Sequence, residues 1–310
     1  MIDIKVFGHK VPDTDTICSA VILTNYLNNK GYNAKAYKLG ELNNETAYLF
    51  DLLNLEIPET ITSLPSGTKV ALVDHNEKSQ TIDNIDELDI EYIVDHHKFS
   101  ITTSNPINIR AEKLGSTASV LYKMYKESNI EISKEIGTLM LAAILSDTLL
   151  FRSATTTKED TIIAEELKSI TGINDFKEFM NPLFEAKSNL GDINVIDLIK
   201  YDYKETEIAG KMIGVGTIET VNPSYALGRK EEILKGLEQI KKDGNLEFIM
   251  LSVVDIFGEK NITIVLNGKD SEIVEKVFDT KIENNLADLK NRLSRKKQVV
   301  PNLTEYFNNL

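Results

Sequence analysis

Short apolar runs alternate with helical stretches through the first half of the chain. β-Rich runs lie at Ile2 to Phe7, Ala34 to Leu39, Lys69 to Val73, Ile90 to Val94 and near Ile107 to Ile109. Helical patterns lie between and beyond them, at Thr16 to Asn29, Glu45 to Leu53, Ser116 to Ser128, Lys134 to Leu145, Glu159 to Ser169 and Phe176 to Lys187. This order predicts an α/β domain, a mostly parallel sheet flanked by helices. Val70-Ala-Leu-Val73 is apolar at every position, as a strand buried on both faces should be. The helix after His9 is apolar nearly all round (Ile17, Cys18, Ala20, Val21, Ile22, Leu23), which puts it between layers.

The pattern changes after Ser188-Asn-Leu-Gly-Asp192. Glu205 to Ala209 and Met212 to Ile218 read as a hairpin around Gly210-Lys211. A long helix over Tyr225 to Lys242 follows Asn222-Pro-Ser224, then strands at Leu246 to Ile256 and Asn261 to Leu266, then a helix from Ser271. The expected organisation is a domain over 1–187, a hinge linker over 188–193 and a smaller α+β domain over 194–310 with an antiparallel or mixed sheet.

Composition narrows the class. The 310 residues are 42% hydrophobic and 27% charged, enough for ordinary cores and unlike a disordered or fibrous chain. The 35 Lys and Arg against 48 Asp and Glu leave a formal charge of −13, which repels a polyanion, so nucleic acid is not an expected partner. The longest clean apolar run, Leu139 to Leu145, is far below the roughly 20 residues of a membrane span, and Met1-Ile-Asp-Ile-Lys runs into a strand, not a signal core. One cysteine, Cys18, makes no internal disulfide. These features point to a cytoplasmic protein without a membrane partner.

The four histidines, His9, His75, His96 and His97, all fall in the first third of the chain, beside aspartates. They occur in Gly8-His9-Lys-Val-Pro-Asp13-Thr-Asp15, in Asp74-His75-Asn76-Glu77 and in Asp95-His96-His97-Lys98, each directly after an expected parallel strand. Residues just beyond the carboxyl ends of such strands line one crevice. Asp147, in Ser146-Asp147-Thr148 at the end of an apolar helix, can reach the same place. Taken singly, His9 reads as a turn histidine, and Asp13 or Asp15 as a helix N-cap. Converging, about five carboxylates and several imidazoles need a compensating charge, because neighbouring like charges raise each other's pKa. A metal supplies it: mixed Asp and His ligands without thiolate suit Mn²⁺, Co²⁺, Fe²⁺ or Zn²⁺. The donors exceed one ion's needs, and two ions roughly 3.5–4 Å apart are the known arrangement for attack on phosphorus. His75 reads equally well as a hydrogen-bonding partner of the ligands.

A second signal is basic: Arg292-Leu-Ser294-Arg295-Lys296-Lys297-Gln298 has four cations and no acid. Such runs are commonly solvated faces, but a phosphate-processing site needs cations for substrate oxygens. Ser116-Thr117 after Gly115 reads as a plain N-cap, or as an anion site at a helix N-terminus.

These motifs together resemble the DHH phosphoesterase superfamily and, more closely, the family II manganese-dependent inorganic pyrophosphatases, over essentially the whole chain. The resemblance implies hydrolysis of inorganic diphosphate to two phosphates by a metal-bridging hydroxide at a dinuclear Mn²⁺ site, with Co²⁺ as a possible substitute and Mg²⁺ carried by the substrate. By motif, His9, Asp13, Asp74 and Asp147 would hold one ion and Asp15, Asp74, His96 and Asp147 the other. His97 would contact the phosphate and serve as general acid, with Asp95 and His75 behind the ligands. Lys204, Arg295 and Lys296 would bind the diphosphate, the second domain closing over the first. A cytoplasmic homodimer is implied as well. Nuclease-like relatives carry a Gly-Gly-Gly-His motif; this chain has no Gly-Gly pair and no histidine after His97. An exopolyphosphatase, or a non-catalytic metal- or phosphate-binding protein, is the alternative.

Overall fold

A computed structural model describes residues 2–103 and 105–309, which form two compact units, one ending at Ala186 and the next beginning at Lys187. The first unit runs β1 (Asp3–Phe7), α1 (Thr14–Asn29), β2 (Asn33–Lys38), α2 (Asn44–Leu52), β3 (Glu59–Thr60), β4 (Lys69–Val73), β5 (Asp89–Asp95), β6 (Asn108–Ala111), α3 (Thr117–Glu127), α4 (Lys134–Asp147), α5 (Lys158–Thr171) and α6 (Phe176–Ser188). Its six strands are all parallel, in the order β3-β2-β1-β4-β5-β6. That is the α/β sheet which the alternation predicts. β1 and β4 lie side by side although β2 and β3 separate them in the chain, so the strand order reverses there and a crevice opens beyond their carboxyl ends.

The strand residues Val70 to Val73 are buried without exception, and α1 is buried along most of its length between the sheet, α3 and α4. Phe7, Val70, Leu72 and Ile93 form a core on one face of the sheet. Burying such side chains stabilises by about 1.5–3 kcal/mol each, enough to hold the strand ends in a defined place.

The second unit runs α7 (Val195–Lys200), β7 (Tyr203–Ile208), β8 (Lys211–Thr220), α8 (Pro223–Gly228), α9 (Lys230–Asp243), β9 (Phe248–Asp255), β10 (Lys260–Val265), α10 (Lys269–Phe278), β11 (Ile282–Glu283), β12 (Leu286–Asp288), a π-helical turn (Arg295–Val299) and α11 (Val300–Asn308). Its sheet is mixed, in the order β11-β12-β10-β9-β8-β7: β8 and β9 are parallel and the other pairs antiparallel. The β7–β8 hairpin turns at Ala209 and Gly210, both with positive φ (49° and 74°), as a two-residue turn of the primed type requires.

The single helix expected over Tyr225 to Lys242 is two helices. Arg229 leaves helical geometry (φ −96°, ψ 15°), and its guanidinium donates to the Ile193 carbonyl (2.9 Å), to Tyr225 Oη and to Glu232. Helix α7 and the short strands β3, β11 and β12 are too brief for a period to show, and the amphipathic α11, which buries Leu303 and Phe307, is an element beyond those expected. The stretch after α6 is tied to the second unit: Tyr225 Oη donates to the Gly191 carbonyl (2.7 Å) and Arg229 to the Ile193 carbonyl (2.9 Å).

Candidate metal centre

Three strand ends deliver the polar cluster. β1 ends at Phe7 and the chain runs through His9 to Asp13, which caps α1 by accepting from Thr16 N (2.9 Å). Gly8 is required here, because a Cβ would lie 2.3 Å from Thr16 Cγ2. After β4, Asp74 adopts φ 59°, a left-handed conformation that aspartate tolerates better than most residues. β5 ends on Asp95, followed by His96 and His97. Asp147 is the last residue of α4; Leu149, Leu150 and Phe151 behind it all have positive φ (48°, 52°, 68°). Left-handed residues other than glycine cost roughly 1–2 kcal/mol each, so this turn is over-determined by its packing.

These residues converge. Asp15, Asp74, His96 and Asp147 form one group whose ligating atoms lie within 4.8 Å of one another; His9, Asp13 and Asp74 form a second, and Asp74, His96 and His97 a third. Asp74 belongs to all three. Its Oδ2 lies 3.4 Å from His9 Nε2 and its Oδ1 3.3 Å from His96 Nε2, which is 3.6 Å from Asp147 Oδ2. A cavity of about 190 Å³ is lined by His9, Asp13, Asp74, His75, His97 and Asp147 among others.

The aspartates are held tightly. Asp15 is fully buried; its Oδ1 accepts from Ser19 Oγ (3.0 Å), Ser116 Oγ (2.8 Å) and Ala118 N (3.1 Å), and its Oδ2 from Thr117 N (2.6 Å). The N-terminus of α3 therefore does receive an anion, and that anion is the chain's own carboxylate. Asp74 accepts from Thr16 Oγ1 (2.5 Å) and Thr117 Oγ1 (3.0 Å). Asp95 Oδ1 accepts from His96 N (2.8 Å) and His97 N (3.0 Å), and lies 3.0 Å from His97 Nδ1. Asn76 Nδ2 donates to Asp95 Oδ2 (2.7 Å). Thr16 carried no role in the sequence, and Thr117 and Asn76 none as partners of these carboxylates, because hydroxyls and amides have no spacing that marks them as such.

Electrostatics expose the charge problem. Burial opposes charge on His9, yet the carboxylates of Asp13 and Asp74 raise it to about 10. Burial also opposes charge on His96, which Asp74 and Asp15 raise to about 9. Burial and the Asp74 charge push Asp15 up to about 7. Asp74 itself, against its burial, is held well below the usual carboxylate range by His9 and His96. Without a metal, protons on imidazoles balance the carboxylates. Divalent ions fit this donor set: the buried His96 Nε2 has no hydrogen-bond partner although carboxylate oxygens surround it, and Nδ1 of that ring faces the Leu114 carbonyl (2.9 Å). Orienting a ligating histidine through its second nitrogen is the usual arrangement. His75 is buried, kept neutral by that burial, with Nδ1 2.8 Å from the Val73 carbonyl.

The basic motif lies in the second unit. Ser294 caps the π-helical turn, Arg295 begins it, and Lys296 and Lys297 are exposed on it. Arg295 donates to the carbonyl and Oδ1 of Asp202 (2.7 Å each) and to the Val215 carbonyl (3.4 Å). Lys204 pairs across the hairpin with Val215, whose carbonyl accepts from Arg295. Arg292 stacks over Phe278, 5.5 Å from the ring centroid.

Residues 3–144 match the model of the DHH family, N-terminal domain, and residues 181–306 that of the DHHA2 domain. Fold and cluster thus define a two-domain protein of the DHH class. The chain is 43% identical to the probable manganese-dependent inorganic pyrophosphatase of Deinococcus radiodurans, over 98% of each chain. It is 40% identical to the manganese-dependent inorganic pyrophosphatase of Bacillus subtilis, over 97% of this chain and 98% of that one. A solved Methanococcus jannaschii structure, assigned to the family II inorganic pyrophosphatases, superposes with a TM-score of 0.66 at 37% identity, covering 98% of this chain and 99% of that one. The chain belongs to the family of manganese-dependent inorganic pyrophosphatases.

Proposed function

We propose that the chain hydrolyses inorganic diphosphate to two phosphates, using two Mn²⁺ ions, with Co²⁺ as a possible substitute and Mg²⁺ brought by the substrate. One observation carries this reading: two metal-capable groups, Asp15/Asp74/His96/Asp147 and His9/Asp13/Asp74, share the Asp74 carboxylate. His9, Asp13, Asp74 and Asp147 would hold one ion and Asp15, Asp74, His96 and Asp147 the other. Bound there, the ions would lower the pKa of water and offset charge on the phosphoryl oxygens.

The chain's own groups do the rest. Asp95 raises the pKa of His97 through its contact with Nδ1, which favours the protonated ring, and Nε2 would then be the proton donor for the leaving phosphate. Asn76 and two backbone N–H groups fix Asp95, so that ring is pre-oriented. Lys204, Arg295 and Lys296 are the cations we assign to the diphosphate oxygens, Arg295 through its planar fork. His75 supports the ligand set from behind. The resemblance also supports a cytoplasmic homodimer. The net charge of −13 argues against nucleic acid, and no helix among the described residues is long and apolar enough to cross a membrane.

The test is phosphate release by metal-stripped protein given diphosphate, polyphosphate, a cyclic dinucleotide or a short oligonucleotide, with Mn²⁺ plus Mg²⁺ or Mg²⁺ alone. Fast, Mn²⁺-dependent release from diphosphate only is expected. Preference for another substrate, or no turnover, overturns the reading.

A further inference from the structure

The turn at 114–119 touches three of the four members of the larger metal-capable group. The Leu114 carbonyl faces His96 Nδ1 (2.9 Å), Ser116, Thr117 and Ala118 bond Asp15, and Thr117 Oγ1 bonds Asp74 (3.0 Å). What holds the turn is a residue that touches none of them. Asp160, fully buried near the start of α5, accepts from Gly115 N (2.9 Å) and Ser119 Oγ (2.6 Å), one donor on each side of Thr117. Its Oδ2 accepts in addition from Thr157 N (2.8 Å) and Thr157 Oγ1 (2.7 Å). There is no slack at this point: a Cβ on Gly115 would lie 2.7 Å from Cγ2 of Thr148, the neighbour of Asp147, and 2.9 Å from Asp160 Oδ2.

We infer that Asp160 is a positioning residue for the metal centre, acting through the Gly115–Ser119 turn to hold Asp15, Asp74 and His96 in ligating geometry. A buried carboxylate with four donors is costly to form and leaves those donors unpaired when removed. As one half of the capping box of α5, Asp160 needs only its bonds with Thr157. The bonds to Gly115 and Ser119, 45 and 41 residues away in sequence, serve the turn instead.

This inference rests on the metal reading proposed above, and the experiment separates the two. Mn²⁺ binding is titrated by electron paramagnetic resonance of the free ion, on the full chain and on Asp160→Asn, Ser119→Ala and Thr157→Val, each with its melting temperature. Asp160→Asn, which puts a neutral amide in place of the charged acceptor and reverses the bond with Ser119 Oγ, is expected to weaken Mn²⁺ binding by about tenfold or more, the usual effect of losing a partner behind the ligands. Ser119→Ala, the milder change, is expected to weaken it in the same direction. Thr157→Val, which breaks the cap but not the bond to Gly115, is expected to lower the melting temperature with Mn²⁺ binding unchanged. Wild-type Mn²⁺ affinity in both Asp160→Asn and Ser119→Ala overturns the inference, as does a loss in Thr157→Val equal to that in Asp160→Asn. No Mn²⁺ binding by the unaltered chain overturns the metal reading, and the inference with it.

Discussion

The two chemical regions of this chain are built in opposite ways. In the first unit, anionic and imidazole groups sit on strand and helix ends, Asp15 and Asp74 almost wholly out of water and each hydrogen-bonded from several directions. In the second unit, Arg295, Lys296 and Lys297 ride on one π-helical turn, the two lysines in solvent, and Lys204 lies on β7. Desolvated carboxylates are tolerable only with partners in place, so the first region is rigid by necessity. Exposed lysines cost little and can adapt to a ligand. Arg295 stands between these extremes, its guanidinium already engaged by Asp202.

The comparison predicts graded effects. Asp74→Ala, at the residue common to the three metal-capable groups among the described residues, should lower kcat beyond about 10³-fold, since loss of one preorganised electrostatic group alone costs about 10²–10³; Mn²⁺ content after dialysis should fall with it. Unchanged turnover at full metal content would refute the assignment. Arg295→Ala should cost about 10- to 100-fold in kcat/KM for diphosphate, the scale of a charge-assisted hydrogen bond, without altering Mn²⁺ affinity. A change in Mn²⁺ affinity would break the division between the two regions.

A pH titration sharpens the contrast. In the metal-free chain His9 and His96 have folded-state values of about 10 and about 9, above the ordinary 6.5. Between those limits the folded state binds more protons than the unfolded one, so stability is full below about 6.5 and is lost as pH rises toward 10. The melting temperature of the chelator-treated protein should therefore fall from pH 7 to 10. Saturating Mn²⁺, which takes over the role of the protons, should remove most of that slope; an unchanged slope would show that the cluster binds no metal. Smallest of all is Lys297→Ala: an exposed cation without an assigned role should change KM by less than about twofold and stability by less than about 0.5 kcal/mol.

Much of the site was legible because of residue types. Four histidines, each beside an aspartate and each following an apolar run, are too selective a use of imidazole to be incidental. β4 was the most legible strand of the first unit, because Val70 to Val73, buried on both faces, is apolar at every position. The break at Arg229 was not, since it depends on a carbonyl at Ile193 and a ring at Tyr225 that the helical pattern cannot reveal. Nor was Asp160, which reads as an ordinary N-terminal helix residue and gains its second role only where α5 meets the turn before α3.

By itself, then, the sequence determined the alternation of strands and helices, the class of metal-capable groups and their position after strand ends. Those are local properties, set by hydrophobic period and side-chain chemistry. Only the tertiary structure decided which carboxylates share an imidazole, why Asp15 is held by backbone N–H groups about 100 residues away, and where Arg295 spends its donors. Such pairings join positions remote in sequence, and they are chosen by how buried layers pack and by the requirement that every buried charge find a partner.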